Sequence, residues 1–552
     1  MTALAAEVPA PALSVPAIRG RLLSLGFTER PCAELEALAA LSDDPAEVAD
    51  AARELALWHM RARTPESWRA AMRHARRARG GAVDPWLGAG LAVVEVLALE
   101  GLGRPGAAAA AFEAACLRGE FTTDLLLARA NLEPAPEGRV ALVNHAMDHH
   151  GVPPLALRGE GATPYDRLSC AADLPPVPPG AGPRVTVLVA TFDAEDTLPT
   201  ALRSLAEQTW QDLEIVVIDD CSRDSTRDVA RAHAARDPRI RLVEMERNGG
   251  AYVARNRGLE VATGELVTLH DADDWSHPVK IESQVRHMMA DGGAVACFSQ
   301  QARATPDLRF DRWTGSGAFL IRNVSSFMFR RAPVVDALGC WDTVRAAADM
   351  ELVRRAERVF GHRAVVDLPT GPHSFQRDGA SSMIADEVMG MNGFYYGARR
   401  EYFAAQRFHH LNAPSLRYDP DPARRAFPAP DLMRPDRDER RQARGHVDVA
   451  LAGDFREADA DLGEAVARVR ALRAEGRTVG LVEIHDYDRE ADGTDRLHDD
   501  LRALVDGEGV RVLVYGDDVT CDALHGAPGG LPADRRYLPV LHVRRASEDD
   551  PA

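Results

Sequence analysis

Across residues 1–175 apolar positions recur at three- and four-residue spacing among Ala, Leu, Arg and Glu, the period of amphipathic helices. The stretch VEVLALEGLGRPGAAAAAFEAACLRGEFTTDLLLARANL (94–132) predicts two helices flanking the Gly103-Arg104-Pro105-Gly106 turn, then the start of a third. Two arrangements satisfy this pattern: a tetratricopeptide-type helical hairpin, or a plain helical bundle. Either serves better as a scaffold or docking surface for a protein partner than as a catalytic unit. The run DLPPVPPGAGPR (173–184) can sustain neither helix nor strand, so a domain boundary is expected there.

Beyond residue 184 the pattern changes. RVTVLVATF, LEIVVIDD and IRLVEME are short, β-branched apolar runs that read as buried strands, and helices are expected over 194–208, 225–236 and 252–262. ELVTLHDADDW supplies a further strand. Strands alternating with helices imply an α/β fold with a mostly parallel sheet and right-handed crossovers. Ligands of such sheets bind beyond the carboxyl ends of the strands, where Asp219-Asp220 and Asp271-Asp273-Asp274 fall. A linker rich in Pro, Arg and Asp follows at about 411–444. HVDVALAGDF, TVGLVEIHDY and VRVLVYGDD, with helices over 458–475 and 494–507, then predict a small Rossmann-like unit without a GxGxxG loop. The expected units are therefore 1–175, 183–410, the linker 411–444, and 445–552.

Composition narrows the function classes. The 552 residues are 45% hydrophobic and 27% charged, which excludes a disordered or collagen-like chain and leaves room for several cores. Lys and Arg total 66 against 84 Asp and Glu, a net charge of −18, and this acidic surface disfavours a nucleic-acid partner. Lys280 is the only lysine. Seven scattered cysteines without a CxxC pair read as reduced thiols of a cytoplasmic protein. No basic region precedes the first apolar residues, so no signal peptide is expected. The apolar run 86–102 is broken by Glu95 and Glu100 and is too short and charged to span a bilayer. Peripheral contact with the inner face of a membrane is compatible with all of this.

Three carboxylates within four residues, Asp271, Asp273 and Asp274, repel one another unless a cation lies between them. Mg²⁺ or Mn²⁺ prefers such oxygen ligands and keeps substrate phosphates in its shell; a solvated acidic turn is the plainer reading. One carboxylate of Asp219-Asp220 could accept a hydrogen bond from a base N–H, and the Ser/Asp/Thr run that follows also suits a helix N-cap. In NGGAYVARNRG (248–258), two glycine N–H groups and Arg255 suit a diphosphate; a capped turn before an Arg-bearing helix is the alternative.

Together, VTVLVATFDAEDTL, SLAEQTWQDLEIVVIDDCSRDST and NGGAYVARNRGLEVATGELVTLHDADDWSHP, extended by NVSSFMFRR and LGCWDTVRAAADMELVRR, resemble the family 2 glycosyltransferases over roughly 183–383. The resemblance implies the GT-A fold and transfer of a sugar from a nucleotide diphosphate sugar, typically UDP-linked, to an acceptor hydroxyl on a glycan, lipid-linked or protein acceptor, as in bacterial surface polysaccharide synthesis. It implies that Thr191 and Asp193 form the first nucleotide-binding loop, that Asp219 or Asp220 holds the base, and that Arg255 lies on the diphosphate side. Asp271 and Asp273 match the DxD element that holds Mn²⁺ or Mg²⁺, Asp273 being the direct ligand. Asp349 matches the catalytic aspartate of an inverting displacement, with Glu351 two residues on. In GPHSFQRDGASSM, His373 is a further candidate metal or phosphate ligand, and Arg377 with Ser381 matches a basic, Ser-containing stretch.

Departures from the family pattern are specific. The Q/RxxRW motif of processive synthases is absent after Asp349, Cys221 replaces a glycine, and His270 precedes the DxD where an apolar residue is usual. Two other functions are open. A nucleotidyltransferase would carry a Gly-rich loop with Lys or Arg after the first strand, which VATFDAEDTL lacks; a non-catalytic sugar-nucleotide-binding scaffold would not need Asp271, Asp273 and Asp349 together. The C-terminal unit resembles one half of a GT-B enzyme and is expected to be accessory or oligomerising.

Overall fold

The computed structural model describes residues 13–80, 85–311, 318–379, 386–421, 424–436, 442, 445–457, 460–489, 496–526 and 537–544. The N-terminal unit is helical, as its apolar period predicts: α1 (Val15–Leu23), α2 (Glu29–Leu41), α3 (Pro45–His59), α4 (Pro65–Ala78), α5 (Pro85–Gly101), α6 (Pro105–Leu117), α7 (Thr123–Ala130) and α8 (Pro136–His149). Proline opens five of them at the first helical position, where its missing N–H costs nothing. Asp44, Thr64 and Thr122 cap α3, α4 and α7 through their side-chain oxygens. Two short antiparallel strands, β1 (Leu155–Leu157) and β2 (Leu168–Cys170), follow and close a loop carrying Tyr165 and Asp166.

The central unit is a ten-stranded sheet. Its strands are β3 (Val185–Thr191), β4 (Leu213–Asp219), β5 (Ile240–Glu244), β6 (Leu266–Leu269), β7 (Trp275–Ser276), β8 (Ala296–Ala304), β9 (Phe310–Asp311), β10 (Ile321–Arg322), β11 (Met328–Arg330) and β12 (Val365–Arg377). The order is β5-β4-β3-β6-β11-β8-β12-β7, with β9 and β10 pairing on β8. The first four strands are parallel, β11 is antiparallel to both neighbours, and β12 runs parallel to β8. Every residue of β4 and all but one of β3 are buried, as expected of strands covered on both faces. The first helices of this unit are α9 (Leu198–Ala206), α10 (Thr226–Ala234), α11 (Ala251–Val261) and α12 (Lys280–Ala290). They are followed by α13 (Arg331–Leu338), α14 (Ala348–Phe360), α15 (Met391–Tyr396) and α16 (Ala398–Asn412).

The C-terminal unit is a parallel five-stranded sheet. Strands β13 (His446–Gly453), β14 (Val479–Glu483), β15 (Val510–Val512), β16 (Asp518–His525) and β17 (Val540–Val543) lie in the order β15-β14-β13-β16-β17. Two details differ from the sequence expectation. The strand expected over 510–518 stops at Val512, because Asp517 accepts the Val514 N–H and Gly516, at φ 96°, turns the chain into β16. In place of a helix over 494–507 there is one short turn, Asp499–Arg502 (494 and 495 lie outside the described residues). Asp506 accepts the N–H groups of Glu508, Gly509 and Val510 and folds that segment into a loop.

The units share cores. Trp275 and Phe375 of the central sheet pack in one buried cluster with Tyr165 and the helical Leu125 and Leu127. The Leu188–Phe298 core of the central sheet continues through Tyr402 into Val449 and Leu481 of the C-terminal sheet. Among the described residues no helix is long and apolar enough to cross a membrane.

Candidate active site

The loops after β3 and β4 are fastened to each other. Asp193, at φ 46°, donates its N–H to Ser222 Oγ at 3.0 Å and accepts the Arg223 N–H at 2.7 Å. The Asp220 N–H donates to the Thr191 carbonyl at 2.8 Å. Thr191 Oγ1 is buried without a hydrogen-bond partner, and the Asp193 side chain is exposed. Asp219 is fully buried and accepts from Arg227 Nε at 2.7 Å. Asp220 accepts the Gly249 and Gly250 N–H groups at 2.8 and 2.7 Å. Those glycine N–H groups, read from the sequence as diphosphate donors, are therefore already engaged. Burial raises the Asp220 carboxyl, and the two N–H donors work against that shift.

Beyond Gly250, at φ 83°, α11 carries Tyr252 and Arg255 under the sheet tips. Arg255 Nη2 donates to Asp271 Oδ1 at 2.6 Å, and Ser325 Oγ donates to Asp271 Oδ2. The guanidinium lies 5.0 Å from the Tyr252 ring centroid. The Asp349 charge acts on both Tyr252 and Arg255. One tyrosine–arginine pair thus lies between Asp271, which it bonds, and the Asp349 charge, which it feels. Burial, then the Asp349 charge, raises the Tyr252 phenol, which keeps it neutral.

Asp349 sits in the first turn of α14, half-buried, its Oδ1 accepting the Met350 N–H at 2.7 Å. The preceding Ala347 is held at φ 67°, a left-handed conformation that a non-glycine residue adopts at a cost of about 1–3 kcal/mol. Arg399 of α16 interacts electrostatically with Asp349, and its Nε is buried without a hydrogen-bond partner. Glu351 faces away from this group: it is fully buried and accepts from Arg355 Nε at 2.9 Å and His410 Nε2 at 2.8 Å.

In the DxD turn the three carboxylates have different surroundings. Asp273 is exposed at the rim; desolvation by the protein around it and the Asp271 charge push its carboxyl up to about 6. Asp274 is buried, with Oδ1 accepting the Arg377 N–H at 2.9 Å and Oδ2 unpartnered. Its carboxyl is raised by burial, then by Asp273 and Asp271. Lys280, buried beside it, is lowered to about 8 by burial against the opposing pull of Asp274. The exposed Asp273 and the orphaned buried oxygen of Asp274 are the acceptors of this turn open to a divalent cation, while Asp271 is bonded by Arg255 and Ser325.

His373 stands elsewhere. Its ring lies 6.2 Å from the His277 ring, on the side facing His150 of the helical unit, and no described contact joins it to Asp271 or Asp273. Ser381 lies outside the described residues, as do 312–317 of the 309–319 loop expected to shape the donor pocket. Burial lowers His373 to about 3 and His277 to about 4. Both folded-state values lie below the unfolded value near 6.5, so the unfolded chain binds more protons between them and stability falls as pH drops through that window. Chemical denaturation at pH 7 and pH 5 should give the lower midpoint at pH 5.

Residues 186–334 match the family model described as Glycosyl transferase family 2. Over these residues, about a quarter of its length, the chain is similar to the family 2 glycosyltransferases. An Escherichia coli protein described as the uncharacterized glycosyltransferase YibD is 36% identical over 140 residues, 24% of this chain and 40% of that one. The putative teichuronic acid biosynthesis glycosyltransferase TuaG of Bacillus subtilis is 38% identical over 107 residues, 19% of this chain and 42% of that one. The chain therefore spans less than half the length of either relative. Among solved structures, the mannosyltransferase PcManGT from Pyrobaculum calidifontis, in complex with GDP-Man and Mn²⁺, aligns at 20% identity over 52% of this chain and 72% of that one, with a TM-score of 0.28. Within the matched stretch, Thr191, Asp193, Asp219, Asp220, Arg255 and Asp271 all lie at or behind the tips of adjacent strands. Tyr252, Ser325 and Arg399 were not legible as site residues. Ser325 lay inside a quoted motif without a role, and Arg399 lies past the matched stretch.

Proposed function

We propose that this protein is an inverting, metal-dependent glycosyltransferase that moves a sugar from a UDP-linked donor to an acceptor hydroxyl in the synthesis of a polysaccharide or related glycan. The observation that carries this reading is the Arg255–Asp271 hydrogen bond beside Tyr252, since the Asp349 charge acts on both Tyr252 and Arg255. On this reading the donor-side and base-side carboxylates serve one shared space. Asp273, with Asp271 beside it, would hold Mn²⁺ or Mg²⁺; when bound, such an ion offsets charge on the leaving diphosphate.

The chain's own residues account for the rest. Asp349 accepts the proton of the acceptor hydroxyl as its oxygen bonds to the anomeric carbon. The bond from that carbon to the diphosphate oxygen breaks on the opposite face, which inverts the configuration. Arg399 sets positive charge against Asp349, and Arg255, neutralised in part by Asp271, offers its guanidinium to the diphosphate side. Thr191 and Asp193 line the base side, with Asp219 and Asp220 behind them.

The test is turnover of a panel of nucleotide sugars with the full chain, with EDTA and after Mn²⁺ is restored. Activity should vanish with chelation and return with metal, and Asp273→Asn should lower it at least 100-fold at subsaturating Mn²⁺. Equal turnover in EDTA would remove the metal from the account.

A further inference from the structure

We propose that Tyr165 and Asp166, supplied by the last loop of the N-terminal helical unit, are positioning residues of the donor site that set the Asp271–Asp274 turn through Arg377 and the Trp275 backbone. The proposal rests on the reading of that turn as the metal and donor side.

Tyr165 is fully buried, and its hydroxyl does two things. It accepts the Trp275 N–H at 3.0 Å and donates to the Phe375 carbonyl. Trp275 and Phe375 are cross-strand partners on β7 and β12, so one hydroxyl from another unit bridges the two strands just after the DxD. The contact is unavailable to the glycosyltransferase domain alone, because no residue of its own occupies that position.

Asp166 acts on the same turn through a charge. Its carboxylate accepts from Arg377 Nη2, from Thr200 Oγ1 at 2.9 Å and from Thr163 Oγ1 at 2.7 Å, so both oxygens are committed. Arg377 lies over the Tyr165 ring at 4.1 Å. Held there, Arg377 donates Nε to the Asp273 carbonyl at 3.1 Å and its backbone N–H to Asp274 Oδ1 at 2.9 Å. The guanidinium thus grips the backbone of the turn while the Asp273 carboxylate points outward. The ion pair is nearly buried, with side chains 11% and 10% exposed, so Asp166 is the counter-charge that keeps Arg377 from the neighbouring carboxylates. Without it, Arg377 would compete with a cation for Asp273. The helical unit also shares its apolar core with Trp275 and Phe375, which fixes the loop that carries both residues.

The experiment uses the full chain with Tyr165→Phe and Asp166→Asn, read by hydrogen exchange of peptides covering 270–278 and by Mn²⁺ binding followed by electron paramagnetic resonance. Asp166→Asn should speed exchange of that peptide at least tenfold, leave peptides of β3 and β4 unchanged, and weaken Mn²⁺ binding at least fivefold. Tyr165→Phe should shift both in the same direction by a smaller factor, and it keeps the test valid if Asp166→Asn fails to fold. At saturating Mn²⁺, kcat should stay within twofold while the metal activation constant rises, a split that general destabilisation would not produce. Unchanged exchange of 270–278 in both variants, with wild type binding Mn²⁺, overturns the positioning role. Faster exchange in variants of a protein that binds no Mn²⁺ overturns the donor-side reading instead.

Discussion

Asp349→Asn in the full chain is expected to lower the turnover of glycosyl transfer about 10²- to 10⁴-fold, the usual contribution of a positioned general base. Donor affinity should stay within twofold, because on this reading the carboxylate serves the acceptor, and its hydrogen bond among the described residues is to the Met350 N–H. The substitution removes one charge at nearly constant shape and leaves the half-buried helix start intact. Each tenfold loss corresponds to about 1.4 kcal/mol of transition-state stabilisation, so the expected loss is about 3–5 kcal/mol. Turnover unchanged in this variant would assign the base elsewhere.

Two residues on, the expected effect is on stability instead. Glu351 and Arg355 form an ion pair with neither side chain exposed, and Arg355 also donates to the carbonyls of Leu338, Cys340 and Leu416. Its guanidinium lies 3.6 Å from the Tyr418 ring centroid. Arg355 and His410 hold the Glu351 carboxyl below its ordinary value, although burial acts to raise it. Glu351→Gln strands a buried cation, at a cost of about 3–5 kcal/mol. Urea denaturation should show this loss, or no stable folded protein, while Asp349→Asn stays near wild type. Equal midpoints for wild type and Glu351→Gln would mean that the pair contributes little to stability.

This division between neighbouring acids was only half legible from the sequence. AAADMELVRR placed both acids at a helix start, but which one faced solvent depended on α16, where His410 reaches back to Glu351. The parallel strands β3 to β6 were legible because each is a short apolar run ending in acids or a turn. The strands β8 and β12 were not. ACFSQQARA buries Ser299, Gln301 and Arg303 among its apolar residues, and VVDLPTGPHSFQR carries two prolines that argue against a strand. The structure accommodates them with register shifts between Asp367, Pro372 and Ser374. His373 illustrates the limit of a motif: its neighbours along the chain suggested a ligand, while the fold sets its ring against His277. Tyr165 and Asp166 could not be found by any local pattern, since Trp275, Phe375 and Arg377 lie more than 100 residues away and become their neighbours only once the helical unit docks.

The central claim is that Asp273 and Asp349 serve one bound nucleotide sugar from opposite sides. Its most direct test is the thermal unfolding midpoint of wild type, Asp273→Asn and Asp349→Asn as UDP is titrated with and without Mn²⁺, since a ligand stabilises only the fold that binds it. The account predicts a saturable, Mn²⁺-dependent rise of equal size in wild type and Asp349→Asn, and none in Asp273→Asn. The same rise in Asp273→Asn, or a rise in all three that ignores Mn²⁺, would contradict it.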